Sequence, residues 1–288
     1  MKKVLITGAN GFIAKHIARC LKDAGCFVIG TSRYVQSIEF IDKVVSGILG
    51  EPLKDVFTDH QIDVLIHCAY DKQDIDNEKN AEGTILWAEQ AEKESVGLQI
   101  FMSSLSATEE AVSPYGLKKF EVEKWFIEHN QVVFRLGLVI GNGGLFGTII
   151  SMIRKSPLVP LVDMGKNITY VSGIGTVSSV ARDFAVNSNK AGRGRVFFLQ
   201  QKAPVLFSDV LKEIRKQYEL RCIFIPIPYF LFSFILALTE KLEFFKLEIN
   251  ANNLKEMRQF NNKEFATDLP SLGYSDLSLD LLIKKTIN

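Results

Sequence analysis

Apolar residues along this chain alternate between two textures. Short, mostly apolar runs at Val4–Ile6, Cys26–Ile29, Val64–Ala69, Leu98–Met102 and Val132–Leu136 are too brief for helices and read as strands of a sheet covered on both faces. Between them the apolar positions recur three and four residues apart. Ile13, Ile17 and Leu21, flanked by Ala14 and Ala18, form one stripe of a predicted helix that Gly25 ends. Val44 and Val45 mark a third short strand, and Asp55 to His60 fits the end of a helix. Asn80–Thr84 leads into a helix from Ile85 to Lys93. Ser113 is placed as N-cap and Pro114 at the first position of a helix running from Tyr115 to His129.

This alternation predicts an α/β fold, a doubly wound parallel sheet of the Rossmann type with helices on both faces. Its opening is the most informative stretch. A buried strand, the turn Thr7-Gly8-Ala9-Asn10-Gly11 and an amphipathic helix stand in the order of a dinucleotide-binding unit. Gly8 permits the tight turn. Gly11 lets the backbone approach a pyrophosphate at the helix N-terminus, and Ala14 takes the position reserved for close helix–strand packing. The second strand ends in Thr31-Ser32-Arg33 with no acidic side chain to hold a ribose 2′-hydroxyl. Arg33 suits a 2′-phosphate, so NADP(H) is the expected cofactor and NAD(H) the alternative; a merely solvated Arg33 is the plain reading.

After Gly141–Gly144 the texture changes. Leu145 to Arg154 and Val177 to Ala185 read as helices, Pro157 and Pro160 bracket an irregular stretch, and Val196 to Leu199 reads as a late strand. Ser208 is the expected N-cap of a helix ending at Tyr218. Asn253–Met257 and Leu279–Lys285 continue a mostly helical remainder. The expected division is an NAD(P)-binding domain over residues 1–145, with returning segments near 166–200. A smaller, mostly helical substrate-binding lobe would come from 146–165 and 201–288, over the carboxyl ends of the strands.

Composition narrows the function. Of 288 residues, 47% are hydrophobic and 23% charged, which is the balance of a globular protein. A net charge of +1 offers no electrostatic footprint for nucleic acid. Cys20, Cys26, Cys68 and Cys222 form no CxxC pair and sit in apolar surroundings, as expected of reduced thiols in a cytoplasmic protein. The four histidines lack ligand spacing, so no metal site is expected. Met1-Lys2-Lys3 runs straight into the first strand, without the apolar region of a signal peptide. Cys222–Leu238 is nearly all apolar, but Pro226 and Pro228 leave too short a helical piece to span a bilayer. It is expected to be a core helix of the second lobe, with a membrane-surface or partner-binding patch as the alternative.

The candidate chemistry lies in Ser104, Tyr115 and Lys119. Tyr115 and Lys119 stand at i and i+4 and share one helix face. A phenol of pKa about 10 is a poor acid or base near neutrality, and a neighbouring ammonium favours its ionised form. Ser104, at a strand end, could hydrogen-bond a substrate oxygen while hydride passes between a nicotinamide and a carbinol or ketone carbon. TGANGFIA (Thr7–Ala14), DVLIHCA (Asp63–Ala69), NAEGT (Asn80–Thr84), FMSS (Phe101–Ser104), SPYGLKK (Ser113–Lys119) and FRLGLVIGNGG (Phe134–Gly144) follow one another in order. On these motifs the first half of the chain resembles the extended and atypical short-chain dehydrogenase/reductases, in particular the NAD(P)-dependent nucleotide-sugar epimerase/dehydratase group.

The resemblance implies that Tyr115 is the general acid/base, that Lys119 lowers its pKa and holds the nicotinamide ribose, and that Ser104 anchors the substrate hydroxyl. It also implies that Gly8, Asn10, Gly11, Phe12 and Ile13 surround the pyrophosphate. Ser32 and Arg33 would lie by the adenosine ribose, and Cys68, Ala69 and Tyr70 along the cofactor. The chain departs from that pattern at Gly47-Ile48-Leu49, where an acidic residue usually stands near the adenine. Only eleven positions separate Ser104 from Tyr115. A short loop there resembles the atypical branch, which includes the NADPH-binding accessory subunit of respiratory complex I. The expected function is therefore 4-keto reduction or 4-epimerisation of a nucleotide-linked sugar, possible as a homodimer. A non-catalytic NADPH-binding structural or redox-sensing protein is the alternative.

Overall fold

Seven parallel strands make the framework of the computed structural model, which describes residues 1–53, 55–187, 192–233, 258 and 260–287. The chain divides into two compact units, one of residues 1–136 and 174–199, the other of 137–173 and 200–288.

In the first unit the strands are β1 (Lys3–Thr7), β2 (Phe27–Ser32), β3 (Lys43–Ser46), β4 (Val64–His67), β5 (Leu98–Ser104), β6 (Val132–Leu136) and β11 (Arg195–Phe198). They lie in the order β11-β6-β5-β4-β1-β2-β3. Val4, Leu5, Ile6, Val64, Leu65 and Ile66 are fully buried, because alternate side chains of each strand meet helices on opposite faces. One face carries α2 (Val56–His60), α3 (Glu78–Lys93) and α4 (Pro114–Glu128). There Leu5, Ile29 and Leu65 pack on Phe57 and Trp87, while Phe101 and Val133 pack on Ala88 and Phe126. The other face carries α1 (Phe12–Asp23) and α6 (Ile174–Val186), where Phe184 meets Phe134 edge-on at 5.1 Å. Strand order reverses between β1 and β4, which opens a crevice at their carboxyl ends, the ligand position of doubly wound sheets.

Asn80–Thr84, expected to lead into a helix, is already helical, because α3 starts at Glu78. The Asp74 carboxylate accepts from the Asn80 amide at 2.7 Å and so satisfies a first-turn donor that the helix cannot.

Among the described residues the second unit holds three small sheets. They pair β7 (Leu138–Ile140) with β10 (Val171–Gly173), β8 (Leu158–Val162) with β13 (Ile223–Ile227), and β9 (Ile168–Thr169) with β12 (Val205–Leu206). Helices α5 (Gly144–Lys155), α7 (Phe207–Gln217) and α8 (Leu279–Lys284) close its core around Phe146, Ile153, Val159, Val210, Ile214 and Ile283. Three expectations are corrected here. The stretch bracketed by Pro157 and Pro160 is strand β8, and Cys222–Leu238 opens as strand β13 rather than as helix. Pro160 and Pro226 are tolerated because strands of a two-stranded sheet have an open side where no N–H is required. Helix α7 begins at Phe207, whose amide donates to the Asn167 carbonyl at 2.8 Å. Ser208 is therefore a buried first-turn residue and not the N-cap. Residues 229–233 are helical; 234–238 and Asn253–Met257 lie outside the described residues. Among the described residues no helix is long and apolar enough to cross a membrane.

Candidate functional site at the β1–β4 crevice

The crevice is shaped by the turn that follows β1. Gly8 has φ +65°, and a Cβ there would stand 2.7 Å from the Ala69 Cα, so only glycine lets β1 and the end of β4 approach this closely. The Thr7 hydroxyl accepts from the amides of Cys68 and Ala69 at 3.1 and 3.0 Å and ties the two strand ends together. The Gly8 amide donates to the Thr31 hydroxyl at 3.1 Å, and the Asn10 amide side chain donates to the Ser32 hydroxyl at 3.0 Å. Helix α1 starts from Gly11 without a side-chain cap and without an acidic residue in its first turn. Its first amides, at Phe12 and Ile13, are thus presented with the positive end of the helix dipole, and no carboxylate of the first turn competes for them. These features suit the pyrophosphate of a dinucleotide. Ser32, at the end of β2, is buried, while Arg33 beside it is exposed.

Tyr115 and Lys119 project from α4 into a cleft lined also by Ala69, Tyr70, Asn80 and Phe101. The Ser113 hydroxyl caps α4 by accepting from the Gly116 amide at 3.0 Å, which sets the helix start one residue before the tyrosine. A Cβ on Gly116 would lie 2.5 Å from the Ser106 carbonyl oxygen. This glycine thus lets α4 sit directly against the short connection from β5. Of the adjacent lysines, Lys118 turns outward to Glu78 and Glu121 at 2.8 and 2.9 Å. Lys119 turns inward and donates to the Met102 carbonyl at 2.8 Å. Its ammonium lies 4.3 Å from the Phe101 ring centre and 5.9 Å from that of Tyr115. Burial pulls the Lys119 amine down to about 8, against the opposing pull of Cys68 and Glu123. The Cys68 thiol is itself pushed up to about 12 by burial. Tyr70 meets the Tyr115 ring edge-on at 5.7 Å.

Ser104 ends β5, and its hydroxyl oxygen accepts from the Ser106 amide at 3.2 Å. It is not among the residues lining the cleft. The structure thus brings Ala69, Tyr70, Tyr115 and Lys119 together and gathers Gly8, Asn10, Gly11 and Ser32 around the first turn.

Sequence reasoning missed two features. Asn77, just before α3, and Asn80 and Thr84 within it line the cleft. Glu123, one turn beyond Lys119, is 2% exposed and receives Nε–H of Arg135 at 2.9 Å and the Ser103 hydroxyl. Burial pushes the Glu123 carboxyl up, with Arg135 and Ser103 opposing. Its i+4 spacing from Lys119 was the signal available in the sequence.

Residues 4–155 match the NAD dependent epimerase/dehydratase family. Among solved structures, the chain is similar to the UDP-glucose 4-epimerase of Thermotoga maritima crystallised with UDP-glucose. That match has TM-score 0.75 and 17% identity, over 99% of this chain and 97% of the other. The dTDP-glucose 4,6-dehydratase of Bacillus anthracis in complex with NAD matches with TM-score 0.68 and 15% identity over 100% and 96%. WbmH of Bordetella bronchiseptica in complex with NAD+ matches with TM-score 0.65 and 19% identity over 79% and 86%. At these identities the likeness establishes the fold. No curated protein matches the sequence.

Proposed function

The chain belongs to the NAD-dependent epimerase/dehydratase family, and from that premise we propose that it reduces a 4-keto group, or inverts a 4-hydroxyl, on a nucleotide-linked sugar. The observation that carries this reading is the pairing of Tyr115 with an inward-turned Lys119 in one cleft beside the β1–β4 crevice. A nicotinamide dinucleotide, when bound, supplies or accepts the hydride. Tyr115 gives its phenolic proton to the substrate oxygen during reduction and takes one back during oxidation. Lys119 stabilises the phenolate by its charge and is assigned the nicotinamide ribose. Ser104 is assigned the substrate oxygen. Its hydroxyl accepts from Ser106 N and keeps its own proton to donate.

The turn Gly8–Ile13 is assigned the pyrophosphate, Cys68, Ala69 and Tyr70 the nicotinamide side, and Ser32 with Arg33 the adenosine ribose. Because β2 ends without a carboxylate, NADP(H) is favoured over NAD(H). The second unit is proposed as the substrate-binding lobe. UDP-glucose, which one structural neighbour holds, is the first substrate to try.

One observation favours a second reading. Only eleven positions separate Ser104 from Tyr115, which leaves little chain to cover a large sugar nucleotide, as in a dinucleotide-binding protein that performs no turnover. Tyr115→Phe separates the two readings on protein stripped of endogenous cofactor and offered UDP- and dTDP-hexoses. An enzyme keeps its cofactor affinity and loses about 10²-fold or more in turnover. Wild-type protein that binds dinucleotide and converts none of the sugars would instead support the binding module.

A further inference from the structure

The cluster of Glu123, Arg135 and Ser103 takes no direct part in the chemistry proposed above, yet it adjoins Lys119. Tyr115, Lys119 and Glu123 stand at i, i+4 and i+8 along a single face of α4. Glu123 accepts every hydrogen bond the structure shows at its carboxyl. These come from Ser103, and from Arg135 Nε at 2.9 and 3.1 Å together with Nη2. A carboxyl that only accepts is the ionised form, and the forked guanidinium fixes its orientation.

The other groups around Lys119 carry no negative charge near neutral pH. From β4 comes Cys68, whose thiol burial holds protonated. From β5 come the Met102 carbonyl and the Phe101 ring, neutral groups that face a cation favourably. From α3 and the residue just before it the cleft receives Asn77, Asn80, Ala81 and Thr84, all uncharged. Lys118, the neighbouring cation, is occupied by Glu78 and Glu121. That leaves Glu123 as the anion among the described residues that acts on the Lys119 ammonium. Lys119 and Glu123 are anchored on consecutive residues of β5, the Met102 carbonyl and the Ser103 hydroxyl.

We infer that Glu123 is a positioning residue of this site: its carboxylate, clamped by Arg135 and Ser103, keeps the inward-turned Lys119 ammonium charged beside Tyr115. The inference rests on the assignment of Tyr115 and Lys119 made above. Arg135 and Ser103 then act at one remove, holding the carboxylate in place and ionised.

The test reads the lysine directly. Reductive ¹³C-methylation followed by NMR titration gives the midpoint of Lys119, its signal assigned by its loss in Lys119→Arg. In wild-type protein that midpoint is expected near 8. In Glu123→Gln it should fall to about 7, because the opposing negative charge is gone, while Glu123→Asp should keep it close to wild type. Turnover at pH 7.5 should then fall roughly threefold in Glu123→Gln, with the alkaline limb about one pH unit lower and activity at pH 6 retained. A merely structural role would lower activity at every pH.

If the unpaired Arg135 prevents folding of Glu123→Gln, the Glu123→Gln/Arg135→Gln variant removes both charges and should show a fall in the same direction, smaller because a cation goes with the anion. Equal midpoints in wild type and a folded variant overturn the inference. A midpoint that falls while Lys119→Met still turns over the sugar panel overturns the catalytic assignment instead, and leaves the electrostatic link standing.

Discussion

His67 offers a prediction whose size follows from its surroundings. It ends β4 with 3% of its surface exposed, its ring edge-on to Phe126 at 5.0 Å. Gln99 uses its side-chain amide to donate to the Ala88 carbonyl at 2.9 Å, so its oxygen is left to accept from His67 Nε2 at 2.9 Å. The proton therefore sits on Nε2, and Nδ1 is buried without a partner. Burial pulls the His67 imidazole down to about 4, against an ordinary 6.5.

In the unfolded chain the ring takes up its proton near pH 6.5; in the folded chain it does so only near pH 4. The unfolded state thus binds more protons between these values, and stability falls as pH drops through that window. The full loss is about 3 kcal/mol, of which about 2 kcal/mol has gone by pH 5. Urea unfolding followed by tryptophan fluorescence reads this well, because both tryptophans, Trp87 and Trp125, lie in the first unit. Subtracting the pH dependence of His67→Gln cancels the other histidines. The wild-type protein should lose about 2 kcal/mol more than the variant between pH 7.5 and pH 5. Parallel curves for the two proteins would refute the buried, neutral imidazole.

Other outcomes follow from the same geometry. Gly8→Ala places a Cβ against the Ala69 backbone at φ +65°. It should cost at least about 1–2 kcal/mol and weaken dinucleotide binding, as read by urea midpoints and fluorescence titration. Ser113→Ala removes the cap of α4 and should cost about 1 kcal/mol by the same unfolding assay. Arg33→Ala should weaken NADPH binding about tenfold or more and leave NADH binding unchanged if a 2′-phosphate rests there. Equal losses for the two cofactors would remove Arg33 from that role.

Local pattern alone carried much of the first unit. Residues 3–7, 64–67, 98–104 and 132–136 are strands that are mostly apolar on successive positions because both faces are covered. The turn at Gly8 and the Ser113-Pro114 start of α4 were legible because glycine at positive φ, N-caps and N1 prolines act within a few residues. The i, i+4 spacing of Tyr115 and Lys119 likewise needs only a helix.

What the pattern could not decide depends on partners distant in the chain. Residues 158–162 look irregular and 223–227 look like the start of a helix until each pairs with the other across about sixty intervening residues. Lys118 and Lys119 are equivalent in composition, and only Glu78 on a neighbouring helix and the Met102 carbonyl on a strand send one outward and one inward. Ser104 reads as a substrate-binding hydroxyl from its place after β5, and only the fold adds that its oxygen accepts from the Ser106 amide. Glu123 is an ordinary helical charge in the sequence. Arg135, brought beside it by β6, makes it a buried, clamped carboxylate, because desolvation and charge pairing exist only once the layers have packed.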